Sequence, residues 1–183
     1  MHISRAKIAD VLIIEPSVYA DDRGFFMELW QEGGFHAAGF VQKPFVLDSI
    51  SFSKNGVLRG IHFQNPNPQD KLVSVLSGEI FDVAVDLRRN SPTFSQWIFE
   101  ILSSKNRRQL FLPAGFGHGF CVLSETALVS YKMTDYFNVE AAHTLLWNDP
   151  DIGIEWPVKN PILSEKDAKG IPFKSASSEM FYA

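Results

Sequence analysis

The chain has 183 residues and a formal net charge of −4, so it lacks the basic excess of a nucleic-acid-binding protein. Hydrophobic residues make up 45% and charged residues 21%, the balance of a globular domain with a substantial core. The single cysteine, Cys121, excludes an internal disulfide and lies in an apolar run, which indicates a buried structural thiol. No apolar run has the length of a membrane span, and residues 1–5 lack the apolar core of a signal peptide. We therefore expect a cytoplasmic protein without a membrane partner.

Aromatic residues, 16 phenylalanines among them, fall in short apolar runs bounded by Gly, Pro, Asn and Asp, a pattern typical of β-rich proteins. The predicted strands cover 11–15, 25–30, 45–53, 57–63, 72–76, 79–87, 97–102, 108–112, 119–123 and 127–133. Short helices are predicted at 32–39 and around 164–168, and residues 175–183 are expected to form a loose tail. No repeat or linker divides the chain, so we interpret residues 1–183 as one all-β domain, an antiparallel sandwich or barrel.

The clearest alternation lies at residues 81–87, where apolar residues at the odd positions share one face of a strand. Asp82 and Asp86 share the other face with Ala84. In a sandwich or barrel, such a face meets either solvent or a ligand cavity. We expect Asp86 to face solvent, whereas for Asp82 the pattern does not decide between solvent and a ligand cavity.

The segment 56–64 places Arg59 and His62 three residues apart in an apolar run that is predicted to be a strand. Side chains an odd number apart on a regular strand point to opposite faces. Gly60, which lies between them, is a candidate β-bulge that would turn both toward one pocket. A cation and a neutral base in one pocket suit an anionic substrate that must lose a proton. The alternative is a core histidine beside a surface arginine.

Residues 112–120 form a second glycine-rich cluster, and the spacing of Pro113, Gly115 and His118 is similar to the second sequence motif of the cupin superfamily. Metal-binding cupins also carry a first motif with two histidines and a glutamate. This chain has only His62 at that place, and two histidines fall short of the three or more protein ligands of a metal site. We therefore expect no metal.

Two further residues have both a structural and a chemical interpretation. Lys71 opens an apolar strand and would normally point to water, but an inward Lys71 is a candidate to stabilise an oxyanion. Tyr131 is either a tyrosine at the edge of the core or a general acid. The arginine pairs at 88–89 and 107–108 are interpreted as solvated turn charges.

Taken in order, these motifs resemble the dTDP-4-dehydrorhamnose 3,5-epimerase family. The resemblance runs from about residue 11 to residue 173 and implies an all-β, cupin-type jelly roll with a few short helices. The segments that carry it are 23–26, 56–62, 78–86, 91–94, 113–120, 131–132, 147–150 and 163–167.

The resemblance implies a role for each of several residues. His62 would be the proton acceptor, Asp167 its orienting partner, Tyr131 the proton donor, and Lys71 the cation near the sugar ketone. It also implies a homodimer in which a strand of one subunit completes the sheet of the other. The implied pocket for the nucleotide sugar is lined by Arg23, Glu28, Leu47, Asp48, Ser49, Arg59, Lys71, His118, Phe137 and Lys166.

The implied reaction inverts C3 and C5 of a dTDP-4-keto-6-deoxyhexose, converting dTDP-4-dehydro-6-deoxyglucose to dTDP-4-dehydrorhamnose. The ketone acidifies the hydrogens on both neighbouring carbons, so a base of near-neutral pKa can remove them. A separate acid then returns a proton from the opposite face. No cofactor is needed, because nothing is oxidised or reduced overall.

The chain departs from the family at three places. Residues 47–49 read Leu-Asp-Ser where the family usually has Gln-Asp-Asn, and Phe137 replaces a tyrosine that stacks on thymine. Ala142 lies in a segment that lacks the usual Glu-Arg pair. These changes leave open an epimerase acting at one carbon or on another nucleotide 4-ketosugar. Further alternatives are a 3,4-ketoisomerase and a non-catalytic sugar-binding cupin.

Overall fold

The computed structural model describes residues 1–40 and 42–182. No helix in that part of the chain has the length and apolar character needed to cross a membrane. The described residues form two α-helices, α1 (Glu32–Ala37) and α2 (Glu165–Ala168), together with 3₁₀ turns at Phe173–Ser175 and Ser178–Met180. The strands are β1 (His2–Arg5), β2 (Leu12–Glu15), β3 (Val18–Asp21), β4 (Gly24–Met27), β5 (Leu47–Lys54), β6 (Leu58–Gln64), β7 (Lys71–Ser77), β8 (Glu79–Asp86), β9 (Trp97–Ser103), β10 (Gln109–Leu112), β11 (Phe116–Val122), β12 (Thr126–Met133) and β13 (Ala142–Thr144).

The strands form two main antiparallel sheets and one hairpin. The six-stranded sheet has the order β1-β2-β10-β7-β12-β5, and the five-stranded sheet has the order β13-β6-β11-β8-β9. Val73 and Val129 from the first sheet pack with Ala84 and Phe120 from the second in one buried cluster, so the core lies between the sheets. The β3–β4 hairpin forms a separate two-stranded sheet. The predicted antiparallel, all-β architecture is confirmed.

Strand β8 is buried on both faces, which corrects one expectation. Asp82 and Asp86 both have 0% exposure, so the prediction that Asp86 faces solvent was wrong. Burial alone would raise the pKa of Asp86, but hydrogen bonds from Arg88, Ser91 and Thr93 outweigh it and lower the pKa to about 2. Arg88 is therefore the partner of a buried carboxylate rather than a solvated turn charge.

The C-terminal segment also differs from its prediction as a loose tail. Phe181 is 6% exposed and packs in a hydrophobic cluster with residues such as Phe63. The hydroxyl of Tyr182 donates a hydrogen bond of 2.6 Å to the carbonyl of Gln64. Residues up to Tyr182 are thus held against the body of the fold, and Ala183 lies outside the described residues.

Three short strands, β1, β3 and β13, were absent from the predicted set. They have only three or four residues each, too few for a period of two to stand out. Strand β13 exists because it pairs with β6, with Thr144 opposite His62. That pairing brings a late part of the chain beside the histidine.

Candidate active site

One cavity of about 320 Å³ brings most of the candidate residues together. Its walls come from both main sheets, from helix α2 and from the segment between β12 and β13. The lining residues are Ser51, Arg59, His62, Phe63, Gln64, Gln69, Lys71, His118, Phe120, Tyr131, Met133, Phe137, Ala142, His143 and Lys166.

A bulge in β6 explains how Arg59 and His62 reach the same cavity. Between β6 and β11 the register shifts, so that three steps from Arg59 to His62 oppose only two steps on β11. Gly60 lies inside this bulge with φ +126°, and a Cβ on it would lie 2.5 Å from the Cα of Gly119. Only glycine tolerates both the backbone angle and the close approach. The bulge proposed from sequence is confirmed.

His62 and Asp167 form a hydrogen-bonded pair at one side of the cavity. The Nε2 atom of His62 lies 2.5 Å from Oδ1 of Asp167, and the hydroxyl of Ser164 donates to Oδ2 at 2.8 Å. Because a carboxylate accepts only, Nε2 carries the hydrogen and Nδ1 keeps the lone pair of a base. Burial lowers the pKa of His62, and Asp167 opposes this in part. Burial would raise the pKa of Asp167, but the bonds from His62 and Ser164 lower it.

Tyr131 reaches the cavity from the opposite sheet. Its hydroxyl lies 2.7 Å from Oγ of Ser51, and burial raises its pKa well above the usual value of a phenol, with Ser51 opposing. Sequence reasoning missed Ser51, although a signal was present. Along β5, Ser51 and Ser53 alternate with the exposed Ile50 and Phe52, so the small polar residues of β5 share its inner face.

Two cations line the cavity from different sheets. Lys71, on β7, is half-buried and donates a 3.4 Å hydrogen bond to the carbonyl of His62. Burial lowers its pKa to about 8, and the charge of Asp82 opposes this. Arg59, on β6, donates through Nε to Oγ of Ser53 at 3.0 Å. The inward Lys71 fits the chemical interpretation of this residue rather than the solvated one.

His118 lies on β11 and is 5% exposed. Its Nε2 lies 2.8 Å from Oδ1 of Asp82, which is fully buried behind it. Asp82, whose side was left open by the sequence, is therefore bonded to a residue that lines the cavity and does not face solvent. Among residues 1–40 and 42–182, no three histidine, cysteine, aspartate or glutamate side chains gather as the ligands of a metal would.

Several residues implied for the pocket lie elsewhere in the single chain. Arg23 is exposed on the turn of the β3–β4 hairpin, and Glu28 lies just after that hairpin. Arg23 pairs with Asp21 at 2.6 Å. Neither these two nor residues 47–49 are among those lining the cavity. Phe137 is at the cavity and is 64% exposed, as a ring open to a ligand would be. Lys166, also implied, lines the cavity.

The arrangement suits acid–base chemistry on an anionic substrate. His62 comes from the five-stranded sheet and Tyr131 from the six-stranded sheet, so a base and a phenol face one cavity from two sides. Lys71 lines the same cavity, where an ammonium would stabilise an oxyanion. Fold and cavity together define a cupin-like enzyme.

Comparison with known proteins identifies the family. A family model described as dTDP-4-dehydrorhamnose 3,5-epimerase matches residues 5–175. The dTDP-4-dehydrorhamnose 3,5-epimerase of Pseudomonas aeruginosa is 50% identical over 177 residues, which are 96% of this chain and 98% of that protein. The chain belongs to the dTDP-4-dehydrorhamnose 3,5-epimerase family. The resemblance seen in the sequence and the expectation of an isomerase are confirmed.

Solved structures agree with this assignment. The dTDP-6-deoxy-D-glucose-3,5-epimerase of Legionella pneumophila, solved with dTDP-4-keto-L-rhamnose, gives a TM-score of 0.96 at 44% identity, covering 99% of this chain and 97% of that one. A 3′-monoepimerase from Streptomyces bikiniensis, solved with dTDP-quinovose, gives a TM-score of 0.88 at 30% identity, covering 96% and 88%. The predicted cupin-type fold is confirmed.

Proposed function

We propose that this protein inverts C3 and C5 of a dTDP-4-keto-6-deoxyhexose, converting dTDP-4-dehydro-6-deoxyglucose to dTDP-4-dehydrorhamnose. The observation that carries the proposal is the placement of His62 and Tyr131 on facing sheets around one cavity. Inversion needs a proton removed from one face of the sugar and a proton added to the other. Two groups on opposite walls provide those two faces.

In the first step, Nδ1 of His62 takes the hydrogen from C3 or C5 as a proton. The electron pair of the broken C–H bond moves toward the ketone and forms an enolate, and the ammonium of Lys71 stabilises its oxygen. Asp167 stabilises the imidazolium that results and keeps the ring oriented. The lowered pKa of His62 leaves it unprotonated at neutral pH.

In the second step, the hydroxyl of Tyr131 gives its proton to the same carbon from the opposite side, and the ketone re-forms. The raised pKa of Tyr131 keeps the phenol protonated until then. His62 loses its proton to water, and Tyr131 regains one. The sugar therefore carries a solvent hydrogen at every inverted carbon, and no redox cofactor takes part.

The rest of the cavity supports a nucleoside diphosphate. Arg59 and Lys166 line it, and guanidinium and ammonium groups match phosphate oxygens. The exposed ring of Phe137 offers a stacking surface for a thymine base. Ala142, from the segment that lacks the family's usual Glu-Arg pair, also lines the cavity and contributes no charge to it.

We further propose that the working unit is a homodimer, because the single chain leaves part of the site incomplete. Arg23 and Glu28 lie outside the cavity, on or next to a hairpin whose Phe25 and Phe26 are 53% and 65% exposed. Strand β5 is at the edge of its sheet, and its outer face exposes Ile50. A free edge with an apolar face favours pairing with a second copy.

A mixing experiment tests the dimer. If the hairpin of one subunit serves the cavity of the other, Arg23→Ala and His62→Ala subunits complement each other. Each protein alone should be nearly inactive. A refolded equal mixture should regain roughly a quarter of the wild-type sites, since half the dimers are mixed and each holds one complete site. A monomeric wild-type mass, or a mixture without recovery, would contradict the arrangement.

The reaction is tested by incubating the protein with dTDP-4-keto-6-deoxyglucose in heavy water. NMR should show deuterium at C3 and C5 and the inverted configuration at both carbons. His62→Ala should show neither, while binding of the nucleotide sugar is largely retained. His36→Ala, a change at an exposed histidine of α1, is the control. Near-normal turnover by His62→Ala would refute the assignment, and inversion at one carbon alone would identify a mono-epimerase.

A further inference from the structure

Asp82 is a buried carboxylate that takes no part in the proton transfers of the proposed reaction. It lies on β8 with 0% exposure. Its Oδ1 accepts a hydrogen bond from Nε2 of His118 at 2.8 Å. Its Oδ2 is buried and has no hydrogen-bond partner among the residues that the structure describes. A buried carboxylate oxygen without a partner is unfavourable, so its presence calls for a physical reason.

Asp86 shows that this strand can satisfy a buried carboxylate fully. It lies four residues further along β8, on the same face and equally buried. Arg88 donates to both of its oxygens, and Ser91 and Thr93 donate to Oδ2 at 2.6 Å. Asp82 has one such bond. Unlike Asp86, Asp82 therefore keeps one oxygen that no hydrogen bond among the described residues uses to hold the fold together.

The charge of Asp82 acts on two groups that line the cavity. Burial lowers the pKa of Lys71 to about 8, and Asp82 raises it toward its usual value. Burial also raises the pKa of Tyr131, and Asp82 adds to that rise. Asp167 is bonded to His62 and so is already paired. The other titratable or charged side chains that face this cavity are Arg59, His62, His118, His143 and Lys166.

We propose that Asp82 is a positioning residue of this site: its carboxylate orients the ring of His118 through one oxygen, and its negative charge holds Lys71 as a cation facing the sugar ketone. The inference rests on the proposed function, since it assigns Lys71 to the enolate. A lysine in a buried site tends to lose its proton. A neutral amine would not stabilise the negative charge of the enolate. The buried carboxylate of Asp82, behind the cavity wall, favours the protonated form of Lys71 without occupying the space of the ketone.

The test is Asp82→Asn, which keeps an oxygen to accept from His118, puts an amide NH2 in place of the unpartnered oxygen and removes the negative charge. Asp86→Asn is the matched control, because it makes the same change in an equally buried carboxylate of the same strand. The pH profile of kcat/KM is measured for all three proteins. The titration of the Lys71 side chain is followed by NMR of isotope-labelled full-length protein, assigned with Lys71→Arg.

In Asp82→Asn, we expect Lys71 to titrate about one pH unit lower than in the wild type, and the basic limb of the kcat/KM profile to move down by the same amount. At pH values on that basic limb, kcat/KM should be about tenfold lower than in the wild type. The acidic limb should stay in place. Asp86→Asn should unfold at a lower temperature than the wild type and leave both the Lys71 titration and the pH profile of kcat/KM unchanged. An unchanged Lys71 titration in folded Asp82→Asn would overturn the proposal.

Two further readouts keep the outcome decisive. If Asp82→Asn does not fold, the wild-type carboxyl carbon of Asp82 is followed instead, and it should shift as Lys71 titrates. A carbon that does not respond would overturn the inference. If the wild type shows no epimerisation, the proposed function fails, yet the Lys71 titration still decides whether Asp82 keeps Lys71 protonated.

Discussion

The Nε2 atom of His62 and the Oδ1 atom of Asp167 lie 2.5 Å apart, although 105 positions separate them in the chain. His62 is in β6, and Asp167 is in the short helix α2. Ser164 caps that helix by accepting from the amide of Asp167, and it also donates to Oδ2 of the same residue. The carboxylate is thereby fixed, with its other oxygen directed at the imidazole.

Asp167→Asn is expected to lower kcat of epimerisation by roughly 10²–10⁴, because an amide cannot stabilise the imidazolium or hold the same tautomer. Steady-state turnover, followed by NMR of the sugar protons, measures the effect. Glu165→Gln changes an exposed acid of the same helix and should leave kcat unchanged. A normal kcat in Asp167→Asn would show that the carboxylate is structural.

Tyr131→Phe should separate proton removal from inversion. His62 remains, so deuterium from heavy water should still enter the sugar, but product of inverted configuration should form at least roughly 10² times more slowly. Tyr182→Phe is the contrast, because its hydroxyl bonds the backbone of Gln64 and its loss should lower stability alone. Inverted product at the wild-type rate in Tyr131→Phe would remove this residue from the mechanism.

The pH dependence of kcat/KM follows from the two shifted groups. His62 must be unprotonated, and burial lowers its pKa below the ordinary 6.5, so the rate should rise with pH through a midpoint under that value. Lys71 must be protonated, so the rate should fall as the pH rises through about 8. In Lys71→Arg, the guanidinium does not titrate in this range, and the basic limb should disappear. Its persistence would assign that limb to another group.

Gly60→Ala should disrupt the bulge that brings Arg59 and His62 together. The added Cβ would meet the Cα of Gly119 at 2.5 Å, and neither backbone can move without disturbing the β6–β11 pairing. We expect a lower free energy of unfolding in denaturant, by more than the roughly 1–3 kcal/mol of an unfavourable backbone angle alone.

Gly24→Ala provides the reference for that angle, because φ at Gly24 is +131° and nothing lies within 4 Å of the added Cβ. The difference between the two alanine variants isolates the cost of the close approach. Equal destabilisation of both would mean that the strand contact at Gly60 relaxes freely.

Much of the architecture can be predicted from local patterns in the amino-acid sequence. Short apolar runs bounded by turn residues predicted most of the strands between residues 45 and 133. The alternation at residues 81–87 indicated one of these strands directly, since a period of two is the mark of a pleated strand. Arg59, Gly60 and His62 were recognisable as a candidate bulge, because a glycine inside a strand often marks a bulge or a close backbone approach. Family motifs then linked His62 with Asp167 and Tyr131.

Several features depend on residues outside the strand or segment from which the prediction was made. Asp86 looked like a solvated residue, but Arg88, Ser91 and Thr93, which follow the end of its strand, surround its carboxylate. Phe181 looked like part of a tail until it packed beside Phe63. In both cases the partners come from outside the strand or segment in question, so a local pattern carries no sign of them.

Local sequence patterns were enough to predict the all-β fold class, and the family motifs were enough to recognise the epimerase family, because both depend on residue types and their order along the chain. The same motifs made His62, Tyr131 and Lys71 candidates for the base, the acid and the oxyanion cation. Only the folded protein shows that Asp82 lies behind the cavity wall with one oxygen unpaired among the described residues, and that Arg23 lies outside the cavity. Burial and charge pairing are properties of the space between segments, and that space exists only once the two sheets have packed.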